Sequence, residues 1–447
     1  MQKPLTILLV VIVLCPFMGV AADAGPLDYG FQLNLERSTL AGLSLGAEPD
    51  LDQRIETDLE LELTLEYPLT ENLYLFFTGV LFDNSATIES IGSEAKLAGL
   101  ERKAIGVGYF FGEQISSELI LGRMEFVSSS DWWPWWNEEL DAIRIESTYG
   151  DFEAMLALAE EQARDSSGAD FIDPEFDGVQ RLMLSLGWEF APDHRLVVYY
   201  LDQSDGSRSF DVGDFEQADR IDEEDSNLRW SGISYLGGFE VKTAGEFEIE
   251  LHGARVSGDE TVYEFDDPSA DTARVSGRRQ NSVSGSAQGF RFGWTPAQFD
   301  EWTLVLGSAR GSGDIDPDDG RERSFRQTGL QGDTESYGEL YQPELSNLVV
   351  DLLGVEWAVS GGVALALLRY DYRQRAPAIE MRDVSIELDL SGTDRDLGSE
   401  IDLVITVTAR DGLELRLTAA EFDPGRAYGA YAGEGSSFFH FELAYEF

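Results

Sequence analysis

The chain is poor in the residues on which enzymes and nucleic-acid binders commonly rely. One cysteine and three histidines occur among 447 residues. The cysteine, Cys15, sits in an apolar stretch near the N-terminus, so disulfides are not expected to hold the rest together. His194, His252 and His440 lie far apart, no pair has metal-ligand spacing, and there is no G-x-S-x-G elbow. No catalytic residue, metal site or cofactor is therefore assigned. Basic residues are also scarce, with 32 Lys and Arg against 84 Asp and Glu, for a formal charge of −52. No basic patch is left to bind nucleic acid. Such acidity suits a protein kept soluble in salty surroundings, or a pore mouth that sorts ions by sign.

Long apolar runs are missing as well, apart from the first. "MQKPLTILLVVIVLCPFMGVAADA" has a lysine, an apolar stretch from Leu5 to Val20 and small residues after it. It reads as a secretory signal, giving a cleaved segment 1–22 and a mature chain 23–447. No later stretch is long enough for a membrane helix, so a membrane-spanning chain must be a closed barrel.

The rest of the sequence alternates. "DLELELTLEYP" sets Leu59, Leu61, Leu63 and Leu65 against Asp58, Glu60, Glu62 and Glu66. "RLMLSLGWEF" separates Leu182, Leu184, Leu186 and Trp188 from Arg181, Ser185 and Glu189. Period two places the two sets on opposite faces of a strand. About eighteen such segments follow one another, each near the length a tilted strand needs to cross a bilayer.

Their connections alternate in length. Short turns at 68–72, 112–114, 150–151, 191–193, 297–300, 360–362 and 411–412, with a looser link near 237–245, are interleaved with long stretches rich in Asp, Gly and Ser. The long stretches fall near 38–54, 82–100, 125–140, 161–179, 204–226, 256–286, 312–345, 375–398 and 422–436. That rhythm predicts an all-β fold: a single antiparallel transmembrane barrel of about 18 strands, with short periplasmic turns and long acidic extracellular loops. The setting is the outer membrane of a Gram-negative bacterium. "FFHFELAYEF" then reads as the closing strand, with Tyr445 and Phe447 on its lipid side as a signal to the barrel-assembly machinery.

Parity assigns the lumen. If strand leucines face lipid, Arg144, Arg181 and Arg416 turn inward, with Glu146 nearby. In "ALALLRYDYRQR", inward Arg369, Asp371 and Arg373 leave Tyr370 and Tyr372 at the lipid interface. "DWWPWW" (131–136) is read as part of the aromatic girdle at the membrane rim, with sugar stacking as the alternative. "GDIDPDDG" (313–320) lacks the spacing and closing glutamate of a calcium loop and reads as an acidic surface loop.

Two longer stretches, "LGRMEFVSSSDWWPWWNEELDAIRI" (121–145) and "FRQTGLQGDTESYGELYQPELSNL" (325–348), resemble the alginate export porins, as do "EFDPGRAYGAY" and the last strand. The resemblance implies a monomeric eighteen-stranded barrel that passes an anionic polyuronate passively through an arginine-rich constriction. Export would require a periplasmic partner. Arg123 and Arg144 would belong to the constriction, and Arg326 to the "FRQTG" block. By parity Arg123 shares the side of Leu119 and Leu121, so turning it inward needs a bulge or a shifted register. The acidic row from Asp58 to Glu66 points instead to a general or cation-preferring porin. An outer-membrane hydrolase is a further alternative.

Overall fold

The computed structural model describes residues 26–42, 53–88, 93–169, 171–174, 176–207, 209–222, 224–266, 272–316, 319–332, 336–359, 361–382, 384–386, 389–409 and 412–447. The expected signal segment 1–22 lies outside the described residues, as do Pro317 and Asp318 of the acidic loop.

Eighteen long antiparallel strands, each hydrogen-bonded to the next in sequence, form one closed wall. The ring closes where Asp28–Ala41 pairs with Ser436–Glu446. Closure matters because a membrane strand with a free edge would leave its backbone groups unpaired in lipid. Beyond the last ladder pair, the Phe31 and Phe447 amides each donate to the other's carbonyl, at 3.2 and 2.9 Å. Their rings stack at 5.5 Å. Two short strands, Phe215–Gln217 and Arg321–Glu322, pair beside Thr272–Pro296 and lie outside the ring count.

The two wall faces differ as alternation requires. Leu121, Ile143, Leu158, Leu186, Ile233, Leu251, Leu306, Leu353 and Ile401 are all substantially exposed, forming an apolar outer belt. The opposite face carries the buried side chains and most of the strand charges. In water such an outer belt would be a penalty, whereas in lipid it is the favoured surface.

Connection lengths differ from expectation in two ways. The link expected to be loose near 237–245 is a tight turn between Glu224–Val241 and Gly245–Asp266. The loops expected at 82–100 and 256–286 are mostly strand: Leu73–Ile88 runs on to Ser93–Phe111, and Gly245–Asp266 to Thr272–Pro296. Polar residues occupy both sides of these hairpin tips. Above the bilayer both faces meet water, so the alternation that marks a membrane strand disappears there without any loss of pairing.

Removing Phe447 deletes both bonds to Phe31 and the stacked ring pair. The expected cost is about 1 kcal/mol per bond and about 1 kcal/mol for the rings. A lowered urea midpoint for the refolded barrel in detergent micelles, relative to the full chain, checks this.

Candidate transport path

Inside the ring the chain folds back into its own lumen. Strand Ser116–Val127 pairs with Ser93–Phe111 only from Ile105 and Arg123 downward. Above that point the chain runs to 128–136, and "DWWPWW" packs against the inner wall. Trp132, Trp133, Trp135 and Trp136 are each at most 5% exposed. They are neither a rim girdle nor an exposed sugar platform. Three wall glycines explain the fit. A Cβ at Gly307, Gly289 or Gly232 would lie 3.0, 2.9 or 3.0 Å from the rings of Trp132, Trp133 and Trp135 respectively. Each bare backbone is thus a seat for one indole. Trp133 also stacks on His252 at 5.2 Å, whose Nδ1 lies 2.8 Å from the Ser234 hydroxyl.

The second inserted segment, described over 325–332 and 336–347, locks onto the first. The Thr328 hydroxyl donates to the Trp135 carbonyl at 2.6 Å, and the Asn137 amide donates to the Leu330 carbonyl. Tyr337 meets Trp132 edge-on at 5.1 Å. Burial, then the Glu250 carboxylate, pushes the Tyr337 phenol above its ordinary value, so it stays neutral. On the far wall, the fully buried Glu400 accepts from the Leu340 and Tyr341 amides, at 2.7 and 2.9 Å, and from the Tyr372 hydroxyl. Three donors on one carboxylate compensate its removal from water. The two stretches singled out in the sequence therefore form one wedge.

The wall arginines divide by register. Arg144, Glu146, Arg181 and Arg416 lie on the lumen face. Arg144 sits 3.2 Å from Glu146 and over the Phe126 ring. Arg181 donates to Gln203 at 3.2 Å, and Arg416 to Glu339 of the wedge at 2.6 Å. Arg326 belongs to the wedge itself, where it pairs with Glu224 and Glu260 while its carbonyl accepts from the Trp230 indole at 2.9 Å.

Arg369, Asp371 and Arg373 require correction. Arg369 stands opposite both Leu353 and Ile401, two exposed lipid-side residues. The row Arg369, Asp371 and Arg373 therefore points outward, and Tyr370 and Tyr372 are buried inside. Leu367 and Leu368 are adjacent, so the local pattern fits either parity; only the neighbouring strands fix it.

Arg123 is corrected too. It opposes Ile105 and Asp141, on the face of Leu121 and Ile143, and does not line the lumen. Gly122 has a φ of +137°, and a Cβ there would come within 2.1 Å of the Ile105 carbonyl, so the close approach of the strands needs glycine. Segment 161–167 takes the vacated edge of Ser93–Phe111 through Arg102 and Leu100 and buries Arg123 against Glu161 at 2.8 Å. Burial lifts the Glu161 carboxyl to about 7, against the pull of Arg123.

The lumen arginines that the sequence reading passed over include Arg291 and Arg195. Arg291 reaches Glu250 and Glu356 at 3.4 and 3.2 Å, and Arg195 pairs with Glu153. "GFRFGW" held the signal for the first, since Phe290, Phe292 and Trp294 alternate around it. Below the wedge, a cavity of about 380 Å³ is lined by Arg144, Arg195, Glu146, Glu153 and Tyr199. Beside the wedge the wall is acidic. Glu36 faces Asp58 and Glu442, and Asn34 and Gln32 face Glu60 and Glu62; none of these joins the wedge's apolar cluster.

The closed antiparallel ring, apolar outside and charged within, defines an outer-membrane β-barrel of the porin type. The fold matches OprD from Pseudomonas aeruginosa with a TM-score of 0.56 at 11% identity, over 96% of each chain. It matches OccAB2 from Acinetobacter baumannii with a TM-score of 0.56 at 13% identity, over 94% of this chain and 98% of that one. Residues 106–440 match the alginate export family, and the chain belongs to it. The alginate production protein AlgE of Pseudomonas aeruginosa is 25% identical over 340 residues, spanning 70% of this chain and 67% of that protein. The protein resides in the outer membrane of a Gram-negative cell.

Gly289→Val places side-chain atoms where the Trp133 ring lies. A stability loss of about 1–3 kcal/mol is expected for such overpacking. Displacement of the indole into water should also red-shift the tryptophan emission of the folded barrel, which fluorescence in micelles will show.

Proposed function

We propose that the barrel is a passive route for an anionic polysaccharide of the polyuronate type, or related solutes, with arginines along the lumen as its guide. Transport rather than catalysis is the function. Family membership and the relative's role in alginate production support the substrate class. The observation that carries the mechanism is that lumen arginines come from several sides of the ring: Arg144 and Arg181, Arg291, and Arg416 opposite the wedge.

Three of these arginines, Arg144, Arg291 and Arg416, contact an internal carboxylate. A guanidinium presents a planar fork that suits any carboxylate, so a passing uronate can exchange for the resident Glu with little net change. Binding at each step is then weak and repeated, as conduction requires. Solvent ions and polymer move down their own gradient, and no cofactor or energy source enters. Delivery of a polymer from the periplasmic side would require a partner there.

The acidic wall supports a second reading, a cation-preferring diffusion pore. The two differ in their response to salt. At about 1 M salt the screening length falls to about 3 Å, so Glu60, Glu62 and Asp58 act only at contact, while direct arginine–carboxylate bonds persist. A protein of this acidity is suited to such surroundings.

Reversal potential in planar bilayers tests the choice. Block of current by an oligouronate that persists at 1 M salt, and weakens in Arg291→Gln and Arg416→Gln, is expected. Cation preference at every salt concentration with no block would overturn the polyuronate route. Glu400→Ala frees three donors that hold the wedge, and single-channel conductance should rise at least twofold.

A further inference from the structure

The outward arginines form a patch that the transport path does not use. On the lipid side of the wall, a cavity of about 570 Å³ is lined by Arg255, Arg310 and Arg375, with Ser231, Gly253 and Ser286 among its small residues. No carboxylate lines it, in a chain with 84 of them. Among the described residues, none of the three arginines makes an ion pair or a side-chain hydrogen bond. This contrasts with Arg369 and Arg373 on the same face, which hold Asp371 and Asp351.

Register sets the geometry. Arg255 stands opposite Ser286, and Arg310 opposite Gln288, on the two sides of strand Thr272–Pro296. The two arginine backbones are therefore about two strand spacings apart, roughly 10 Å, with an offset of two residues. Both guanidinium groups can reach one phosphate or two neighbouring ones above the small side chains between them.

Height sets the environment. Arg255 is ten residues past Gly245, where its strand leaves the periplasmic turn. Ten residues at about 3.3 Å each, tilted by about 40°, rise about 25 Å, the thickness of the apolar band. Below it on the same face come Leu251, Ile249 and Phe247, with Leu306, Leu304 and Trp302 below Arg310. The cavity thus opens at the outer edge of the lipid belt, where headgroups lie.

We propose that this groove binds the phosphorylated sugar headgroup of an outer-leaflet glycolipid. Unpaired arginines recognise the phosphates by forked hydrogen bonds, the small residues leave room for the sugar, and the leucines beneath meet the acyl chains.

Native mass spectrometry of the purified barrel tests this with bisphosphorylated lipid A, its dephosphorylated form and inorganic phosphate. The expected result is retention of the bisphosphorylated lipid alone. Its apparent affinity should fall at least tenfold in the Arg255→Gln, Arg310→Gln, Arg375→Gln triple variant, whose side chains are exposed and whose folding is checked by heat-modifiable migration. A charge-matched control, Arg274→Gln, Arg278→Gln, Arg279→Gln, should bind like the parent. Equal retention of the dephosphorylated lipid, equal loss in the control, or displacement by inorganic phosphate at the lipid's own concentration would each overturn the proposal.

Discussion

The seam between the first and last strands is the constraint on which everything else rests. Once Asp28–Ala41 and Ser436–Glu446 pair, no edge remains, and every residue on the wall has either lipid or lumen as its neighbour. The same closure turns a linear alternation of leucine and glutamate into two chemically separate surfaces. It also creates the enclosed space that the two long inserted segments must share.

That space is filled by shape. Indole rings need flat, unobstructed seats, and Gly232, Gly289 and Gly307 provide them on three neighbouring stretches of wall. The wedge is then tied at its far end by two buried carboxylates, Glu400, which collects two amides and a phenol, and Asp402, which accepts from the Glu339 amide at 3.2 Å. One segment is held by packing and the other by charge-assisted hydrogen bonds. The second is fastened at several points, through Arg326, Thr328, Glu339 and Glu400, so loosening it takes the loss of buried polar bonds rather than of packing alone.

Charge follows the same division of surfaces. Lumen arginines lie close to carboxylates or amides, with Arg416 opposite Glu442 at the border of the acidic wall, and an arginine trio without ion pairs faces lipid. A net charge of −52 therefore conceals a local basic patch on the outer wall. Polymer, ions and lipid each meet a different part of the charge distribution.

Alternation in the sequence was enough to settle the all-β class, the strand number, the closing strand and the inward turn of Arg144, Arg181 and Arg416, because side-chain direction along a strand is a local property. It failed where the local pattern was degenerate. Leu367 and Leu368 allowed both parities, and only pairing with Leu353 and Ile401 sent Arg369 and Arg373 to the lipid side. Arg123 followed its parity outward, contrary to the role that resemblance implied. The wedge was not legible at all. The Thr328–Trp135 bond joins residues 193 positions apart, and nothing near either one marks its partner. Facing along a strand is written locally wherever the alternation is unbroken; which loops enter the lumen is not, since that depends on glycine seats and buried carboxylates meeting across a closed ring.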